Sequence, residues 1–221
     1  TAIHQGAGGL LRKANHLARG ALIAAAAQMG YWKSSLDASF RRSGELPFDS
    51  DRKRMTTIHH LNGNRRDYAP LTDFDAESQP YIAFTKGSVD GLLTLSSHVW
   101  NNGKAEAISE SWRQRIEGAN DRLAKKGMRV LGVAYRNTDR LPRKITEEFE
   151  SELTFVGLFG MIDPPRAEVK DSIRLTKSAG LRTVMITGDH PLTAAEIARQ
   201  LGISDSGNAM TGREIDKLSF D

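Results

Sequence analysis

With 221 residues, 39% of them hydrophobic and 26% charged, the chain has the size and balance of one large or two modest globular domains. The absence of cysteine excludes disulfides and thiolate zinc sites, and no run approaches the ~18 apolar residues that span a bilayer. A formal net charge of +4 permits a polyanionic partner, yet acids and bases are mixed along the chain, the pattern of a solvated surface.

Residues 1–19 are rich in Gly, His, Lys and Arg and carry little structural signal beyond a short helix around Leu10–Leu17. Gly20–Met29 is Ala-rich and predicts a helix stopped by Gly30. A polar helix is predicted over Ser34–Arg42, and Thr56–Leu61 reads as a strand by its β-branched content. His59 and His60 are adjacent, so in a strand they face opposite sides and do not form a metal pair. Asn62-Gly63-Asn64 signals a tight turn, and Asp67–Gln79 reads as a loop.

Pro80–Thr85 predicts a second strand that delivers Lys86-Gly87, and Ser88 opens a helix running through Leu92, Leu93 and Leu95 toward Val99. Ala105–Lys126 predicts a long amphipathic helix with Ile108, Trp112, Ile116, Ala119 and Leu123 on its apolar side and Gly127 beyond its end. Met128–Tyr135 is a third strand, and Arg140–Glu152 is a polar connection.

Leu153–Ile162 is an apolar, β-branched and aromatic run that Asp163-Pro164-Pro165 terminates, because proline offers no ladder donor. Arg166–Ala179 follows as a helix with Val169, Ile173 and Thr176 on one face and Gly180 as its stop. Thr183–Ile186 predicts a short buried strand, and a helix with Pro191 in its first turn and Ala194, Ile197, Ala198 and Leu201 as its stripe ends at Gly202. A further helix begins at Arg213–Leu218. The join at Thr187-Gly188-Asp189 puts a hydroxyl, a flexible glycine and a carboxylate before a helix N-terminus, where the amide dipoles favour an anion. The same three residues also suit an ordinary strand-to-helix turn with an Asx cap.

The elements therefore predict an α+β lobe, a mixed sheet with flanking helices, followed by a partial α/β unit of Rossmann type. The domain boundary falls at about residue 160, giving 1–160, with its first 19 residues uncertain, and 161–221. Two strands with two helices cannot cover both faces of a sheet, so the expectation is a chain that stops within a domain.

Five stretches together resemble the cytoplasmic head of P-type cation-transporting ATPases, most like the calcium-pump branch: Pro47-Phe-Asp-Ser-Asp-Arg-Lys-Arg-Met55, Lys86-Gly-Ser-Val-Asp90, Met128-Arg-Val-Leu-Gly-Val-Ala134, Met161-Ile-Asp-Pro-Pro-Arg166 and Thr187-Gly-Asp189. They occur in the family's order and approximate spacing over roughly residues 20–218. The resemblance implies a nucleotide-binding domain joined to part of a phosphorylation domain of haloacid-dehalogenase type. It implies that Phe48 stacks on adenine, that Lys53 and Lys86 line the pocket, that Gly87 leaves room for the ligand, and that Arg129 reaches the phosphates. Asp163, Pro164, Pro165 and Arg166 resemble the hinge between the lobes, and Thr187, Gly188 and Asp189 the loop that holds the transferred phosphoryl group. ATP, Mg2+, an actuator domain and transmembrane helices are the implied cofactors and partners, with no nucleic acid; the head itself stays on the cytoplasmic side and outside the membrane.

The family's Asp-Lys-Thr-Gly-Thr motif, whose aspartate accepts the phosphoryl group, does not occur in the chain. The expectation is therefore a chain that binds ATP but has no catalytic residue of its own and is inactive alone. Arg19 stands before Gly20-Ala21-Leu22, where calcium-branch relatives often have an acid. Two other readings remain at this level: a fragment of a soluble haloacid-dehalogenase-type phosphohydrolase, and a non-catalytic basic binding module. The first lacks a nucleophilic aspartate in an Asp-x-Asp or Asp-x-Thr setting after a strand, and the second predicts steep salt dependence.

Overall fold

The computed structural model describes residues 20–61, 79–141, 143–162, 165–205, 209–215 and 217. These pack as two compact units, one drawn from residues 1–108 and 132–157, the other from 109–131 and 158–221. The predicted turn at Asn62-Gly63-Asn64, the loop 67–79 up to residue 78, and Asp163-Pro164 lie outside the described residues.

Seven strands form one mixed sheet in the order β1-β2-β3-β6-β7-β4-β5. They are β1 (Phe40–Asp49), β2 (Arg54–Leu61), β3 (Tyr81–Gly87), β4 (Ser96–Asn101), β5 (Lys104–Ala107), β6 (Arg129–Thr138) and β7 (Leu153–Met161). β1, β2, β3 and β6 pair antiparallel in sequence. β4 pairs parallel with β7 and antiparallel with β5. Both edges are polar: β5, KAEA, is exposed throughout, and β1 carries Arg41, Arg42, Glu45 and a donorless Pro47. Such edges resist pairing with another chain.

The inner strands bury Ile58, Ile82, Ala134, Leu153 and Phe155 almost completely, at roughly 1.5–3 kcal/mol for each large side chain. A second cluster of Leu61, Ile82 and Tyr135 is flanked by Phe40, Phe84 and Trp100. Helix α1 occupies residues 20–28 and α2 is Lys33–Ser39. Helix α3 (Val89–Leu95) sits close to the sheet at Gly132, where an added Cβ would meet Leu92 at 3.1 Å and Phe155 at 3.3 Å.

In the second unit, α4 (Glu110–Ala124) starts at Ser109, whose hydroxyl accepts from the Trp112 amide. Helices α5 (Ala167–Ser178) and α6 (Pro191–Leu201) follow, with a one-turn α7 (Gly212–Ile215). Thr193 Oγ1 donates to the Met128 carbonyl at 2.8 Å, tying α6 to the residue before β6. Four helices end in the same way. Gly30, Gly127, Gly180 and Gly202 all have φ between 72° and 86°. Each glycine amide, and the amide after it, bonds back to carbonyls of the last turn, which is the Schellman arrangement.

Four expectations are corrected. Residues 40–42 open β1 instead of ending the helix from Ser34. The helix opened by Ser88 stops at Leu95, because residues from Ser96 onward find partners on β7 and β5. The long helix begins at Glu110, not Ala105, because Ala105 and Ala107 pair with Trp100 and His98. Thr183–Ile186 is neither a strand nor buried: Val184 is 70% and Ile186 93% exposed. β-branched propensity makes a strand only where a partner supplies the ladder, and none of the described strands does so there.

Candidate functional site

The tip joining β1 to β2 gathers most of the residues singled out from the sequence in the first unit. The register steps from Leu46↔Thr56 to Asp49↔Arg54, so Pro47 and Phe48 together oppose Met55. Two residues against one is a bulge, a device that re-aims a side chain, and Phe48 stands 42% exposed there. On the other side of Met55 lies its β3 partner Lys86. Phe48 and Lys86 therefore flank one residue in a single cross-strand row.

The turn that follows is held by local hydrogen bonds. Asp49 Oδ1 accepts from the amides of Asp51 and Arg52, both at 2.9 Å, an Asx turn. These bonds, the Arg52 amide first, hold the Asp49 carboxyl below its ordinary range. The Lys53 amide donates to the Asp49 carbonyl, and Lys53 takes a left-handed φ of 51° with its side chain outward. The Lys53 carbonyl in turn accepts from Ser88 N at 3.1 Å.

Gly87 is buried at this point, and a Cβ there would lie 2.7 Å from the Lys53 carbonyl and 2.5 Å from Arg54 Cβ. The missing side chain thus admits the protein's own turn. Phe48, Lys53, Lys86 and Gly87 are brought to one end of β1–β3.

Arg52 and Arg54 point the other way, inward. Glu150, in the polar connection before β7, has a fully buried carboxylate. Its Oε2 accepts from Arg52 Nη1 at 2.7 Å and Arg54 Nε at 2.5 Å. Its Oε1 accepts from Thr56 Oγ1 at 2.6 Å, and Thr56 shares a 2.8 Å hydrogen bond with Thr85. Removing one partner of a buried pair of this kind generally costs about 3–5 kcal/mol. Sequence reading missed Glu150. The available signal was the pair of arginines bracketing Lys53, whose guanidiniums call for an acid if they turn inward.

In the second unit, Arg129 Nε donates to Asp189 Oδ1 at 2.8 Å and Nη2 reaches the same oxygen. Thr187 Oγ1 donates to Asp189 Oδ2 and accepts from the Asp189 amide, each at 3.1 Å. Gly188 is exposed. His190 caps α6, its Nδ1 accepting from the Leu192 amide, so the predicted cap role falls one residue past Asp189. Of the predicted hinge, Pro165 and Arg166 are described, Arg166 being the residue before α5.

At the opposite end of the β1–β2 hairpin a hollow of about 560 Å³ is lined by Arg41, Arg42, Ser43 and His60. Among the described residues no group of three His, Asp or Glu side chains is arranged to hold a metal ion, and no helix is long and apolar enough to cross a membrane.

Residues 6–168 match the family described as P-type ATPase, cytoplasmic domain N. The chain is 40% identical over 200 residues to Calcium-transporting ATPase 1 of Bacillus cereus, covering 90% of this chain and 21% of that protein. It is 36% identical over 202 residues to Calcium-transporting ATPase 1 of Lactococcus lactis, covering 91% and 21%. It is 33% identical over 176 residues to the sodium/potassium-transporting ATPase subunit alpha of Drosophila melanogaster, covering 76% and 16%. The chain thus spans about a fifth of the length of the two bacterial relatives, and 16% of the Drosophila one.

Proposed function

The chain belongs to the P-type ATPases, its residues 6–168 matching their cytoplasmic domain N, and on that premise we propose that it forms the ATP-binding part of a membrane-embedded cation pump. The observation that carries this reading is the cross-strand row of exposed Phe48 with half-buried Met55 and Lys86, beside the exposed Lys53. An aromatic face accepts a purine by stacking, worth about 1–3 kcal/mol. The two lysines supply positive charge and donors where a polyphosphate needs them. Gly87 serves the site indirectly, by letting the Lys53 turn approach β3.

The donor set fits a nucleotide, and the cation favoured is calcium, after the names of the bacterial relatives. When bound, ATP with Mg2+ supplies a transferable phosphoryl group whose charge the metal offsets. Residues 1–160 are assigned to the nucleotide-binding domain, and 161–221 to part of a haloacid-dehalogenase-like phosphorylation domain with Thr187, Gly188 and Asp189 as its phosphate loop. Arg129 offers a planar fork of donors for phosphate, and Asp163 to Arg166 act as the hinge. The acceptor aspartate, the actuator domain and the transmembrane helices belong to other parts of the pump, and this portion lies on the cytoplasmic side.

Calorimetric titration with ATP tests the reading. The chain is expected to bind weakly but saturably, with Phe48→Ala and Lys86→Ala each weakening binding by roughly tenfold or more. Unchanged binding in Phe48→Ala, or none in a folded wild-type chain, would refute it.

A further inference from the structure

A buried ion-pair cluster of the first unit has no role in the ligand chemistry above, yet it ends on the Lys53 turn. Glu150 is fully buried and grips Arg52 and Arg54, the two neighbours of Lys53. Arg52 also reaches back. Its Nη2 donates to the carbonyl of Pro47, the residue before Phe48, at 2.7 Å. Arg54 Nη1 donates to the Arg52 carbonyl at 3.2 Å. One carboxylate therefore anchors, through a single guanidinium, the bulge that presents Phe48 and, through two, the turn that presents Lys53.

From this geometry we propose that Glu150 is a positioning residue for the nucleotide, acting through Arg52 and Arg54 on Lys53 and Phe48. The proposal rests on the nucleotide reading. Its physical basis is specific. Pro47 interrupts the ladder, the register slips between Leu46 and Asp49, and Lys53 has a left-handed φ. A segment with so irregular a backbone needs side-chain anchors to hold one conformation. The Asx turn of Asp49 supplies a local anchor, and Glu150 supplies the one that ties the segment to the sheet. Loss of the charge on Glu150 releases Arg52 from its inner partner and leaves the turn to sample other conformations, so that ligand binding must order it again.

The test is a double-mutant cycle read as ATP affinity of the full chain, using wild type, Phe48→Ala, Glu150→Gln, Lys53→Ala and the Glu150→Gln/Lys53→Ala pair. Circular dichroism establishes that each is folded. Glu150→Gln is expected to raise the Kd about tenfold, and the double variant to lose clearly less affinity than the product of the two single losses. That non-additivity distinguishes positioning from a loss of stability, which would leave the two effects multiplying. A folded Glu150→Gln chain with wild-type affinity, or multiplying losses, would overturn the proposal while Phe48→Ala still reports on the nucleotide reading. If wild type and Phe48→Ala bind alike, the nucleotide reading fails and the proposal with it. Should Glu150→Gln not fold, Arg54→Gln replaces it. A smaller loss, again non-additive with Lys53→Ala, is expected, and unchanged or multiplying affinity overturns the proposal.

Discussion

Arg129 and Asp189, 60 residues apart in sequence, meet through two donors on a single carboxylate oxygen. The arginine side chain is 48% and the aspartate 20% exposed, so the pair contributes little to stability, about 0–1 kcal/mol. Its consequence lies in anion binding, because the same guanidinium cannot face Asp189 and a phosphate with full strength. Asp189→Asn is expected to tighten binding of tripolyphosphate severalfold, with a stability change under about 1 kcal/mol. Arg129→Ala should erase that gain. Fluorescence-displacement titration and urea denaturation provide the two readouts.

His59 gives a pH dependence whose sign follows from its surroundings. A carbonyl only accepts, so Nδ1–H donates to the Phe40 carbonyl at 3.0 Å, and in the neutral ring Nε2 accepts from the Thr57 hydroxyl at 3.1 Å. Burial pushes the ring's pKa below its ordinary 6.5; the Phe40 carbonyl and Asp37 oppose this, and Arg42 and Lys33 add to it. The unfolded chain then binds the proton more readily than the native one. The stability owed to neutral His59 is complete above pH 6.5 and is lost as pH falls from there toward the depressed native value. Urea midpoints at pH 7.5, 6.5 and 5.5 should fall for wild type and fall less for His59→Gln.

The glycine that ends α6 isolates a backbone term. Gly202 has φ 72°, and a Cβ there would meet nothing within 4 Å. Gly202→Ala should therefore cost only left-handed strain, about 1–2 kcal/mol, seen as a Tm decrease of roughly 2–8 °C. Gly202→Asn should cost less, since asparagine tolerates this conformation.

These helix stops were readable from the sequence because positive φ is a local property that glycine satisfies wherever it occurs. Strands β2, β3, β6 and β7 were equally plain, each being β-branched and bounded by turn residues. The region from Ser96 to Ala107 was not. Its apolar spacing mimicked a helix, while the partner that makes β4 a strand begins at Leu153. Thr183–Ile186 failed in the opposite sense, with strand propensity but no partner among the described strands. At the site, Phe48, Lys53 and Lys86 stood out only through the family resemblance carried by Pro47–Met55 and Lys86–Asp90. Glu150 did not, because Arg52 lies 98 residues away in the chain and only the folded sheet joins them.

The most direct measurement is a titration of the isotopically labelled chain with Mg2+ and ATP, followed by amide chemical shifts. The account predicts saturable shifts centred on Phe48, Lys53, Lys86 and Gly87, with Arg41, Arg42 and His60 unmoved. Shifts centred on Arg41, Arg42 and His60, or none that saturate, would contradict it.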